Sequence, residues 1–265
     1  MNTPLVPVKD APLKRAGSAW LGRAGKLVLD TLYPPVCVHC AVPVVMADAL
    51  CAHCWSLLRP ISAPRCPVLG LPFEVSLGPE ALCAEAIADP PPFERARSAF
   101  HYDDICRSVI SRLKFGDKPE LARICAQTMR ANCAELFEGN PALVPVPLHP
   151  WRHWQRRFNQ SSEMCRELSK LTGLKTELFL VRRRRQTRQQ VGLNTSQRAR
   201  NVEGAFSVHP DAAATLGGRR VLIVDDVITT GATVKALTRA LQKAGVKQID
   251  VISFARVVIG ADMPI

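Results

Sequence analysis

The stretch Val221-Leu-Ile-Val-Asp-Asp-Val-Ile-Thr-Thr-Gly-Ala-Thr233 decides how the rest of the chain is read. Its first four residues are a continuous apolar run without polar alternation, the pattern of a strand buried on both faces of a parallel sheet. The strand is expected to run out at Val224, leaving Asp225 and Asp226 just past its carboxyl end and Thr229 to Thr233 as the turn that opens the next helix. Open α/β sheets bind ligands at that edge. Free N–H groups of a first helical turn, with the hydroxyls of Thr229, Thr230 and Thr233, make a cup for a phosphate, and Gly231 lets the backbone come close. The two carboxylates stand too near such an anion to bind it, but they can accept hydrogen bonds from the hydroxyls of a sugar. A phosphate on one side and a diol on the other describe a ribose 5-phosphate. A plain threonine cap accounts for less, because a cap needs one such residue and no paired acids.

Outward from this stretch, strands alternate with helices. Short strands are expected at Ala99–Tyr102, at 142–147 and near Leu178–Val181, with a last one at Ile249–Phe254. Helices are expected over Asp104–Phe115, Pro119–Phe137, Asn159–Leu171 and Gly231–Ala244. That alternation predicts an α/β fold, a parallel sheet with helices on both faces. The segment from Arg182 to Asn201 is polar and aperiodic, and reads as a long mobile binding loop or lid. Near the start, Trp20, Leu21, Ala24, Leu27, Val28 and Leu32 predict an amphipathic helix over 18–32. Pro90-Pro91-Pro92 can neither continue a helix nor serve a sheet, so it marks a boundary between an N-terminal unit, 1–92, and a second domain, 93–265. No internal repeat is visible.

Ten cysteines separate into pairs and singles. Cys37-Val-His-Cys40 and Cys51-Ala-His-Cys54 are two C-x2-C knuckles, which can close a tetrahedron of thiolates around Zn2+. Four protein ligands leave no open position, so this metal is expected to hold structure and not to perform chemistry. His39 and His53 read as bystanders and Cys66 and Cys83 as unpaired. Cys106, Cys125, Cys133 and Cys165 read as small buried hydrophobes.

At 265 residues, 47% hydrophobic and 22% charged, the chain can build a core, which excludes wholesale disorder and rod-like folds. It holds neither an apolar stretch long enough to cross a membrane nor a recognisable leader, and is expected to be cytoplasmic. Of its formal charge of +12, a net of +9 falls between residues 141 and 204, with 13 basic against 4 acidic residues. Arg152, Arg156 and Arg157 form one knot; Arg182, Arg183, Arg184, Arg185 and Arg188 form another. Such a field attracts polyanions, either a nucleic-acid backbone or a ligand with several phosphates, and a solvated arginine face is the plainer alternative. Trp151, Trp154 and Phe158 interleave with the first knot as possible stacking platforms for single-stranded DNA, or pack one side of a helix.

These residues carry a resemblance. Val221–Val234 is similar to the PRPP-binding motif of type I phosphoribosyltransferases, and nearly the whole chain resembles the ComF family of that fold. The resemblance rests on the cysteine knuckles, Arg112-Leu-Lys-Phe115, Val144-Pro-Val-Pro-Leu-His149, Arg156-Arg-Phe-Asn-Gln160, Arg185-Gln-Thr187, Gln190, Leu193, Arg198 and Asn201 to Phe206. It implies a phosphoribosyltransferase fold behind a small zinc-ribbon-like subdomain. It also implies that Asp225 and Asp226 hold the ribose 2- and 3-hydroxyls, and that Thr229, Thr230, Gly231, Ala232 and Thr233 hold the 5-phosphate. Arg152 would then face pyrophosphate, Lys114 would face the incoming base or the pyrophosphate, and Mg2+ would bridge hydroxyls and pyrophosphate. Two departures stand out. Family members often carry four cysteine pairs, where this chain has Cys66-Pro-Val-Leu69 and Cys83-Ala-Glu-Ala86; and Arg157 stands where the family usually has Gly. The expected function is therefore PRPP and Mg2+ binding, with or without transfer to an acceptor, in DNA uptake alongside other competence proteins. The competing expectation is a single-stranded-DNA-binding module that uses Arg156, Arg157, Arg182, Arg183, Arg184, Arg185 and Arg188.

Overall fold

A computed structural model describes residues 34–115, 118–148, 158–184 and 204–258; the helix expected over 18–32 lies outside them. In chain order the elements are α1 (Ala52–Leu57), α2 (Ala84–Ala88), β1 (Arg95–His101), α3 (Asp104–Phe115), α4 (Leu121–Asn132), β2 (Ala142–Pro145), α5 (Gln160–Thr172), β3 (Val181–Arg183), β4 (Phe206–Val208), α6 (Ala212–Leu216), β5 (Val221–Ile228), α7 (Ala232–Lys243) and β6 (Ile249–Arg256). Four strands form a parallel sheet in the order β1-β6-β5-β2. The apolar run of β5 serves two cores. Leu222 and Val224 face Leu113, Met129, Met164 and Leu168 of α3, α4 and α5, whereas Val221 and Ile223 face Leu216, Leu237 and Leu241 of α6 and α7. With helices on both faces, the strand has no solvent side on which polar residues could alternate.

Three expectations change. The strand of the opening stretch does not stop at Val224: Asp225, Val227 and Ile228 pair with Ser253, Ala255 and Arg256, so both aspartates lie within β5. The helix expected over Pro119–Phe137 ends at Asn132, and a 3-10 turn, Ala134–Leu136, follows Cys133, whose φ of −133° leaves the helical region. The segment expected to be a loop from Arg182 instead begins inside β3, which pairs antiparallel with β4.

The residues before β1 hold a repeat that the sequence reading missed. In the first unit Cys37 N–H bonds Val42 O, Ala41 N–H bonds Cys37 O and Val44 N–H bonds Pro35 O; in the second Cys66 N–H bonds Leu71 O, Gly70 N–H bonds Cys66 O and Phe73 N–H bonds Pro64 O. The bridges Val36↔Pro43 and Arg65↔Pro72 match as well. Each knuckle closes on a left-handed residue, Ala41 at φ 62° and Gly70 at φ 66°. At Gly70 the glycine is required twice, since a Cβ there would stand 2.4 Å from Ala96 O. The double unit lies along the edge of the sheet. Ile61 N–H bonds Ala99 O, His101 N–H bonds Arg59 O and Ala96 N–H bonds Val68 O, so the free edge of β1 is covered.

Candidate functional site

β5 brings Asp225 and Asp226 to the carboxyl end of the sheet, and the chain then turns through Thr229 and Thr230 into α7. Gly231 caps that helix at φ 74° with no side-chain capping bond, which leaves first-turn N–H groups facing the turn. An added Cβ at Gly231 would meet nothing closer than 3.9 Å, so the glycine is required by its positive φ and not by crowding. The Thr230 hydroxyl is buried without a hydrogen-bond partner and fits an anion acceptor in the cup.

The two carboxylates have different surroundings. Asp226 is 8% exposed, and its Oδ2 lies 2.5 Å from Lys114 Nζ of α3. Asp225 Oδ1 accepts from the Asp226 N–H at 2.9 Å and from Ser161 Oγ at 3.4 Å. Burial, and then the Asp226 charge, push the Asp225 carboxyl up to about 7. The folded protein thus holds a proton over a range of pH in which the unfolded chain has released it. The stability gained from that proton is full below the ordinary carboxylate range and is lost as pH rises through about 7. We expect Asp225→Asn to exceed the parent in stability by a margin that widens by on the order of 2 kcal/mol between pH 5 and pH 8, read as diverging melting temperatures. Parallel melting curves across that window would show that Asp225 does not titrate there.

α3 thus brings Lys114 to Asp226. Ser161 was missed by sequence reading, although a signal was present. Asn159, next to last in the quoted Arg156-Arg-Phe-Asn-Gln160 run, caps α5, with its Oδ1 accepting from Ser161 N–H and its Nδ2 donating to Val146 O. That cap ties the start of α5 to the end of β2 and aims Ser161 at Asp225. Arg152, Arg156, Arg157, Arg185 and Arg188 lie outside the described residues. In β3 the strand alternation exposes Arg182 and turns Arg183 inward, 7% exposed, with its guanidinium 5.5 Å from the Phe206 ring centre; Arg184 is exposed. Arg183 therefore does not belong to an exposed basic face.

The Sγ atoms of Cys37, Cys40, Cys51 and Cys54 all lie within 4.8 Å of one another, a donor set that fits tetrahedral Zn2+. N–H groups of Cys51 and Cys54 donate to the sulfurs of Cys37 and Cys51 at 3.3 and 3.4 Å. Cys37, Val38, Cys54 and Leu58 share a core with Ile105, Val109 and Leu113 of α3. Two polar contacts reinforce that packing: His39 Nδ1 to Ser108 Oγ at 2.9 Å, and Lys118 to Asp48 at 3.0 Å. His39 stands outside the four-sulfur cluster and instead contacts α3. Among the described residues, no helix is long and apolar enough to cross a membrane.

Comparison with known proteins bears on both sites. A double zinc ribbon domain model matches residues 28–87, and a phosphoribosyl transferase domain model matches residues 161–264. The chain is 30% identical to DNA utilization protein YhgH of Escherichia coli (strain K12) over 224 residues, covering 82% of this chain and 95% of that protein. It is 30% identical to Competence protein F of Haemophilus influenzae over 226 residues, covering 83% and 96%. Competence protein ComFC of Streptococcus pneumoniae is 26% identical over 212 residues, covering 79% and 88%. The ribbon match and the four-cysteine cluster agree on a structural Zn2+ site.

Proposed function

The chain belongs to the ComF family of phosphoribosyltransferase-fold proteins, and we propose that it binds PRPP with Mg2+ and acts in the cytoplasm in DNA uptake or utilisation. The observation that carries the ligand is the juxtaposition, at the end of β5, of two carboxylates with a helix start whose buried Thr230 hydroxyl lacks a partner. Asp225 and Asp226 accept the ribose hydroxyls, and the Thr229–Thr233 turn takes the 5-phosphate on its N–H groups and hydroxyls. Mg2+, when bound, neutralises pyrophosphate. Lys114 pairs with Asp226 at 2.5 Å, so a ribose diol must displace it, and the freed ammonium turns to pyrophosphate together with Arg152. The same reading divides the chain into a zinc-binding unit, 1–92, and a ligand-binding unit, 93–265. The DNA role is supported by the names of the relatives, DNA utilization protein and Competence protein F. The test is calorimetric titration of the zinc-loaded protein with PRPP, with and without Mg2+; absence of heat in both would end the ligand reading.

A second reading, single-stranded-DNA binding, is favoured by the exposure of Arg182 and Arg184 within the +9 segment. If it holds, Arg182→Ala with Arg184→Ala lowers affinity for an oligonucleotide and flattens the slope of log affinity against log salt by about 1–2. An unchanged slope would remove these arginines from the interface.

A further inference from the structure

The second ribbon unit repeats the backbone of the first without its ligands. Leu69 stands where the first unit has Cys40, and Ala86 where it has Cys54; both are 4% exposed. Two sulfurs remain. Cys66 is fully buried, Cys83 is 8% exposed at the N-cap of α2, and the two share one core. Cys66 Sγ accepts the Leu69 N–H at 3.4 Å, the knuckle geometry of a ligated thiolate.

Two buried arginines hold this knuckle in shape. Arg97 of β1, 7% exposed, donates to Pro67 O at 2.9 Å, and Arg256 of β6, 6% exposed, donates to Leu69 O at 2.8 Å. Arg256 Nε is buried with no hydrogen-bond partner, and both sulfurs lie in its electrostatic range. A fixed guanidinium thus supplies positive charge to a half-site that in the first unit requires a metal ion, and its presence opposes a second cation.

We propose that Cys66 and Cys83 form a metal-free dithiol, a modification site that closes to a disulfide on exchange with glutathione disulfide. Burial pushes the Cys66 thiol up, but backbone N–H groups and the Cys83 thiol outweigh it and leave Cys66 below the ordinary thiol value. Burial, with the neighbouring Cys66 charge, pushes Cys83 up to about 11. The two sulfur side chains are close enough to share a hydrogen bond. Cys83, the less buried residue of the pair, exchanges with glutathione disulfide; its proton leaves on the first glutathione, and a Cys83–glutathione mixed disulfide forms. The Cys66 thiolate then attacks the Cys83 sulfur, forms the Cys66–Cys83 bond and expels the second glutathione as thiolate. Two electrons pass from the protein to glutathione disulfide, which is reduced to two molecules of glutathione. Closure also removes the thiolate charge that faces Arg256.

The test uses the full, zinc-loaded chain. Trypsin releases Cys66–Arg95 as one peptide that contains both cysteines and no other. After exposure to glutathione disulfide, followed by denaturing alkylation, most of this peptide is expected to escape alkylation and to have lost two hydrogen atoms, while metal analysis gives one zinc per chain. Cys66→Ser should stop at the Cys83–glutathione adduct, and Cys83→Ser should leave Cys66 unmodified by glutathione and open to alkylation. A second zinc per chain would overturn the proposal, and so would a peptide that stays fully alkylated in the parent protein.

Discussion

Replacing Asp225 and Asp226 together with Asn is expected to weaken PRPP binding in the presence of Mg2+ by at least about 100-fold while leaving the fold intact. The two side chains keep their volume, so β5 keeps its pairing with β6 and its place between the two cores. What is lost is charge. Near pH 8, above the range in which Asp225 holds its proton, hydrogen bonds to ionised acceptors contribute about 1.5–3 kcal/mol each, and two of them set the loss at two to four decades. The variant has an internal control, because the burial that pushes Asp225 up to about 7 costs the native protein stability above that pH. Near pH 8 the gain at Asp225 opposes the cost of leaving Lys114 without its partner, so the melting temperature stays close to that of the parent. Weak binding by a well-folded variant therefore reads on the site and not on folding. Undiminished affinity would place the ligand elsewhere and leave the Thr229–Thr233 turn as an ordinary helix start.

Much of this site was legible in the sequence because its parts are contiguous. Thirteen residues, 221–233, hold the strand, the acids and the cup, and local chemistry restricts what such a run can do. The strand end was misjudged at Asp225 because polarity was taken as exposure, whereas a parallel neighbour can satisfy the backbone of a charged residue as readily as that of valine. Lys114 and Ser161 were harder to place. Each reaches the aspartates from a different helix, and no spacing rule relates position 114 or 161 to position 225. The ribbon repeat was missed for a different reason. Its first halves, 35–44 and 64–73, share only Pro, Cys and Pro at matching positions, since Leu69 and Ala86 had removed the cysteines by which such a unit is recognised. Its backbone hydrogen bonds remained, and these leave no mark on side-chain identity.

Chelating the zinc is expected to open the first ribbon unit and to spare the second. The first unit has a short helix, one knuckle and little apolar mass of its own. A four-thiolate zinc site contributes on the order of 10 kcal/mol to such a fold, more than the core it shares with α3 can replace. Once the metal is gone, amide exchange over 35–58 should rise by orders of magnitude, and the protection of the Ile61 and His101 amides should follow as far as residues 59–61 loosen from β1. Uncovering that edge of β1 makes concentration-dependent aggregation the expected fate of the apo protein. The second unit depends on no metal: Arg97 and Arg256 are anchored in β1 and β6 and hold Pro67 O and Leu69 O whether or not zinc is present. Amides of residues 66–71 should therefore stay protected under chelation, and Arg256→Ala should open them while zinc is still bound. Equal opening of both units on chelation would mean that the first unit supports the second and the arginines do not suffice. An unchanged exchange pattern would mean that the four cysteines do not hold the ribbon together.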